Sequence, residues 1–139
     1  GAFYDCSNLQ SIVMPDGIEF IDGYTFSGCT GLRRALFPNS LKRLYLNSFS
    51  ACSNLSSVIL PSGLQYIGYD AFADCVSLEN VFLQNDCTYI EMHAFAGCSN
   101  NIAFVVPQGS ADYYAKMISY DCLSREGEER KDAIILLQR

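Results

Sequence analysis

The sequence predicts a solenoid, an α/β chain wound into coils of 23 residues with short parallel strands on one face and short helical or 3-10 turns opposite. Three observations predict it. Phe3, Phe26, Phe49, Phe72 and Phe95 stand 23 residues apart, and Cys6, Cys29, Cys52, Cys75 and Cys98 keep the same step. Aliphatic columns follow: Leu9, Leu32, Leu55 and Leu78; Ile12, Ala35, Val58, Val81 and Phe104; Met14, Phe37, Leu60, Leu83 and Val106. Finally, each unit carries a run that alternates inward and outward before a proline, as in Val58-x-Leu60-Pro61. Self-similarity at a fixed step of this length is the mark of stacked units, none of which buries a core alone.

The alternating run has the period of a strand. Pro15, Pro38, Pro61 and Pro107 end it, because proline gives no ladder hydrogen bond, so each strand is short, about three to five residues. A Pro-Ser-Gly or Pro-Asp-Gly turn follows. Ile18, Leu41 and Leu64 then lead into Cys87, and Ile21, Leu44, Ile67 and Ile90 into Tyr113, as further inward columns. In the remaining part of the unit Phe and Cys lie three apart with small residues between, which suits one helical or 3-10 turn pointing both at the core. Five units run over residues 2–116, and residues 110–139 form a C-terminal capping segment. Within that segment Ser110 and Asp112 read as the start of a short helix, Ser124 to Asp132 as a charged turn or loop, and Ala133 to Leu137 as a strand or helix on the end of the core.

Units such as Ile67-Gly-x-x-Ala-Phe72-x-x-Cys75-x-x-Leu78-x-x-Val81-x-Leu83 resemble the BspA-like, or treponemal-type, leucine-rich repeat. The Val106-Pro107-x-Gly109-Ser110 run up to Tyr113 is similar to the segment that closes such arrays. The resemblance implies a right-handed leucine-rich repeat solenoid with its parallel sheet on the concave side. It also implies a surface protein, on the cell or secreted, that binds host matrix or other cells, and it brings no catalytic, metal or cofactor residues. Departures gather late in the array: Asn101 replaces the repeat leucine, Gln84 the proline and Cys87 an aliphatic residue. At the other end the chain opens on Ala2-Phe3, midway through a unit and behind a lone glycine, which reads as a trimmed piece of a longer protein.

Composition narrows the partners. Of 139 residues half are hydrophobic, enough for one domain with a core, and the net charge is −6. Basic pairs are confined to Arg33-Arg34, Lys42-Arg43 and Arg130-Lys131, which argues against nucleic acid. No apolar run approaches the roughly 18 residues of a membrane span. Neither CxxC nor HxxxH occurs, so metal has no paired ligands. His93 and Cys98 are five apart, but Cys98 belongs to the repeat column and His93 to a variable one, so the pair reads as a surface imidazole beside a core thiol rather than a catalytic dyad. The column cysteines read as buried thiols, since equivalent side chains in stacked coils lie about 4.8 Å apart and parallel, whereas a disulfide wants convergent Cβ atoms about 3.8 Å apart. Cys87 reads the same way, and Cys122 in the tail is the one thiol open to reaction.

Outward positions nominate the binding face. Val13, Leu36, Ile59, Phe82 and Val105 form one outward apolar column, with Arg34 and Asn80 among its polar neighbours. Either this stripe is the dry centre of a protein interface, or its branched side chains merely cover one another along the stack. Five strands make a sheet of about 24 by 13 Å, on the order of 300 Å². A standard interface takes about 800 Å² per partner, so weak binding is expected of these coils alone. The favoured function is a non-catalytic protein-binding repeat of an adhesin, with an intracellular adaptor or structural array as the alternative. The first coil has no lid over Leu9, Ile12 and Met14, so self-association through that edge is also expected. Phe20, Tyr66 and Tyr89, in a column with Arg43 and Asp112, read as partly buried at the turn, with an aromatic ligand platform as the alternative. Arg33-Arg34 reads as a solvated pair, with steering of an acidic partner as the alternative.

Overall fold

Each of the first four coils in the computed structural model, which describes residues 1–118 and 135–138, makes two strand crossings, and the fifth makes the first of them before entering a helix. The first crossing is made by β1 (Ser11–Val13), β3 (Arg34–Leu36), β5 (Ser57–Leu60), β7 (Asn80–Leu83) and β9 (Ala103–Val106), and the second by β2 (Phe20–Ile21), β4 (Arg43–Leu44), β6 (Tyr66–Ile67) and β8 (Tyr89–Ile90). Partners stand one coil apart: Ser57 faces Asn80, Val58 faces Val81, and Arg43 faces Tyr66. The first crossing has the predicted length of three or four residues and alternates as predicted, with Val58 and Leu60 buried and Ser57 and Ile59 exposed. Leu41 and Leu64 then donate their N–H groups to the carbonyls of Pro38 and Pro61, at 3.1 Å each, closing the turns that the prolines begin.

The first crossing is two sheets rather than one. β1 pairs with β3, while β5, β7 and β9 form a ladder of their own that a last strand, β10 (Ile135–Gln138), joins beside β9. The smallest member of its inward column, Ala35, lies at the break. Ala103 pairs with Ile135, a step of 32 residues where the other coils take 23. Cys122 and the charged stretch from Ser124 to Asp132 lie outside the described residues.

Between β2 and β3, and at each equivalent place, the chain makes the short turns opposite the strands. They are single turns with bonds of the 3-10 kind, Cys29 N–H to the Phe26 carbonyl at 3.3 Å and Leu32 N–H to that of Cys29 at 3.0 Å, and none continues into a helix there. Two left-handed positions per coil keep them apart. Tyr24, Asn47, Asp70 and His93 hold φ of 54 to 61°, and Gly28, Ala51, Asp74 and Gly97 hold φ of 59 to 75°. This geometry turns amides toward the next coil, so that Phe26 N–H meets the Ser48 carbonyl at 2.8 Å and Phe49 N–H that of Ala71 at 2.8 Å. At Gly97 a side chain would meet the Asp74 carboxylate of the preceding coil, which would have to swing aside, so glycine suits this left-handed position.

The core is a file of like side chains. Phe26, Phe49, Phe72 and Phe95 stack near-parallel with neighbouring centroids 4.9 to 5.5 Å apart, and the exposed Phe3 extends the file at 5.2 Å from Phe26. Beside them Cys29, Cys52, Cys75 and Cys98 are buried and unbridged. Each thiol donates to the carbonyl of the phenylalanine one coil earlier, at 3.1 to 3.2 Å. Desolvation pushes the Cys29 thiol up from 9.0 to about 11, and burial drives that of Cys75 upward as well, so both are held protonated.

Two inward positions are corrected. Cys87 is exposed and Thr88 is buried in its stead. Without a proline at Gln84, the Asn85 side chain organises this turn, accepting from Cys87 N–H at 3.0 Å and donating to the carbonyls of Ser62 and Leu64. Likewise Tyr113 is 40% exposed, and Tyr114 is the residue that closes the core, fully buried on α1 (Ala111–Met117). The Tyr114 hydroxyl donates to the Asn85 carbonyl at 2.7 Å and accepts from Thr88 N–H at 3.1 Å. Ser110 holds the N-cap position of α1, but its hydroxyl donates to the Pro107 carbonyl rather than capping the helix.

Candidate protein-binding face

The apolar column nominated by the sequence lies on the outer side of the first crossing. Val13 is 68% exposed, Ile59 57% and Leu36 44%, while Phe82 and Val105 are half-buried. Pairing places Val13 beside Leu36, Ile59 beside Phe82 and Phe82 beside Val105, so the side chains run in two registered files separated at the break between β3 and β5. Arg34 and Asn80 are exposed one strand position before Ala35 and Val81. Single exposed apolar residues are ordinary, but aligned apolar files with a polar margin mark a candidate interface.

The column of Phe20, Tyr66 and Tyr89 makes a second outward row, in which Tyr66 alone is partly buried as expected. Phe20 and Tyr89 are each more than half exposed rather than partly buried at a turn, because the two-residue strands β2 and β8 direct them away from the core. Tyr45 completes the row, with centroid separations of 6.1 Å to Phe20 and 6.2 Å to Tyr66, and Tyr66 lies 6.3 Å from Tyr89. The Arg43 guanidinium sits 5.5 Å from the centre of the Tyr66 ring. Tyr66 donates to a Glu91 carboxylate oxygen at 3.3 Å, and burial first, then that carboxylate, hold its hydroxyl above the usual range. For exposed Tyr69 the bond to Glu91 is the larger cause of the same shift.

Beside the first coil lies a hollow of about 360 Å³ lined by Phe3, Ile12, Met14, Ile18, Phe20 and Phe26. Among the described residues no three metal-ligating side chains gather, and no helix is long and apolar enough to cross a membrane. His93 is half-buried at a left-handed turn position, and the Cys98 thiol is engaged with the Phe72 carbonyl, one coil earlier.

Known structures share this architecture. A leucine-rich repeat protein of T. pallidum superposes with a TM-score of 0.68 at 30% identity, over 76% of this chain and 49% of that one. One from Bacteroides ovatus gives 0.71 at 26% identity, over 98% of this chain and 32% of the other. A leucine rich cell surface protein from Faecalibacterium prausnitzii, 17% identical with a TM-score of 0.60, shares the fold. The chain thus spans about half of the treponemal protein and about a third of the Bacteroides one. No curated protein matches it. The sequence model for the BspA type leucine rich repeat region matches residues 1–122 in six copies, one more than the five units of regular spacing. With that match over most of its length, the chain belongs to the BspA-type leucine-rich repeat family.

Proposed function

We propose that this repeat scaffold is a non-catalytic, protein-binding part of a cell-surface adhesin whose partner is a host extracellular-matrix or cell-surface protein. The carrying observation is the registered row Val13, Leu36, Ile59, Phe82 and Val105, which presents apolar side chains to solvent at three of its five positions. Leaving large aliphatic groups in water forgoes about 1.5 to 3 kcal/mol each relative to burial, and a partner's surface recovers that energy. Arg34 and Asn80 at the margin supply directional polar contacts. The test is retention of the protein on immobilised basement-membrane extract. Ile59→Glu and Phe82→Glu variants with unchanged circular dichroism are expected to lose about tenfold or more in retention. Retention equal to the wild type in both variants overturns the role of this face.

A further inference from the structure

The first crossing is interrupted in one place, and its densest positive charge stands there. Between β3 and β5 a cleft of about 210 Å³ opens, lined by Arg33, Arg34, Ala35, Leu36, Ser57 and Ile59. The two arginines are adjacent in sequence and exposed, in a chain of net charge −6. The ion pair found among the described residues, Lys42 to Glu19 at 3.2 Å, involves neither of them. Leu36 and Ile59, flanking the cleft, belong to the apolar row.

Size selects the class of occupant. A pocket for a small organic ligand runs to about 300 to 1,000 Å³. This cleft is smaller and holds one or two side chains of a larger molecule that lies across the row. Chemistry selects the side chain. Guanidinium groups present planar forks of donors that match a carboxylate, and such pairs gain strength where neighbouring apolar groups exclude water. We propose, resting on the strand-face reading above, that the cleft is an anchoring point for an acidic partner segment. In it an aspartate or glutamate is held by Arg33 and Arg34, and an adjoining aliphatic residue packs on Leu36 and Ile59. The partner therefore carries acidic-aliphatic pairs, and the arginines attract it through an otherwise repulsive field.

The test compares two synthetic peptides, one with two Glu-Leu pairs and one with each Glu replaced by Gln, titrated into isotopically labelled protein and followed by NMR. The acidic peptide is expected to bind about tenfold tighter, to shift the Leu36 and Ile59 methyl signals, and to weaken several-fold as salt rises from about 0.05 to 0.5 M. An Arg33→Gln, Arg34→Gln double variant is expected to bring the two peptides level, and since both arginines are exposed it keeps the fold. Equal affinity of the two peptides for the wild type, with both lost in Ile59→Glu, overturns the acidic anchor and leaves the strand-face reading standing. Peptide binding that Ile59→Glu does not weaken, or no binding of either peptide, overturns the anchor, and the matrix-retention experiment then judges the face by itself.

Discussion

The Sγ of Cys75 donates to the Phe49 carbonyl of the preceding coil at 3.1 Å, and the same bond recurs at Cys29, Cys52 and Cys98. The repeat cysteine is thus a small apolar filler that also answers a buried carbonyl, two tasks that alanine and valine cannot combine. Cys75→Ala is expected to cost about 1 to 3 kcal/mol, from the lost bond and the space left behind. Urea unfolding measures it, and a change within experimental error would contradict the role of the bond.

Thiol reactivity should divide along the same line. Cys87 is exposed, whereas Cys29, Cys52, Cys75 and Cys98 are buried. With a chromogenic disulfide reagent at neutral pH, Cys87 is expected to react at once, and the four core thiols only on unfolding. Their titration also bears on stability. Burial lifts the Cys29 value from 9.0 to about 11, so the unfolded chain releases this proton first. The contribution is complete below pH 9 and is lost as pH rises through about 11. The denaturation midpoint is therefore expected to be level through neutral pH and to fall in that alkaline window, and more shallowly in Cys29→Ala.

Ser48 occupies the slot that is Ala71 and Ala94 in the following coils, and its hydroxyl oxygen is buried without a hydrogen-bond partner. A buried, unanswered polar group costs about 1 to 3 kcal/mol. Ser48→Ala is expected to leave stability unchanged or raise it by about 0.5 to 2 kcal/mol, read as the midpoint of thermal unfolding.

Tyr114 is tied at both lone pair and proton, to Thr88 N–H and to the Asn85 carbonyl. Tyr114→Phe keeps the ring but leaves both buried groups unanswered, at about 1 to 3 kcal/mol. Tyr113→Phe removes only an exposed contact with the Cys87 carbonyl and is expected to be near neutral. Equal effects of the two substitutions would refute this assignment of roles.

Much of this architecture is legible from spacing because an inward side chain repeated at fixed intervals has only one place to go. The outward row is equally legible, since Ile59 between Val58 and Leu60 must face the other way. The second sheet escaped notice because a strand such as Phe20–Ile21 is too short to show alternation. The left-handed positions are not legible either, since glycine fills only some of them and Tyr24, Asn47, Ala51 and His93 others, with backbone strain offset by bonds between coils. Cys87 misled because a column implies an unchanged backbone, and the Asn85 turn changes it. The arginine cleft depends on a break in the ladder that no residue pattern announces.

The side-chain hydrogen bonds between coils join residues 20 to 29 positions apart, from Ser99 with Glu79 to Tyr114 with Asn85. The loop that must close before such a bond forms therefore stays within that range, set by the winding and not by the size of the array. Adding coils lowers the relative contact order, because separation stays fixed while the chain grows. A relative with two or three times as many coils faces no higher entropic barrier to its first closure than this one does, and growth by repetition leaves the speed of folding untaxed.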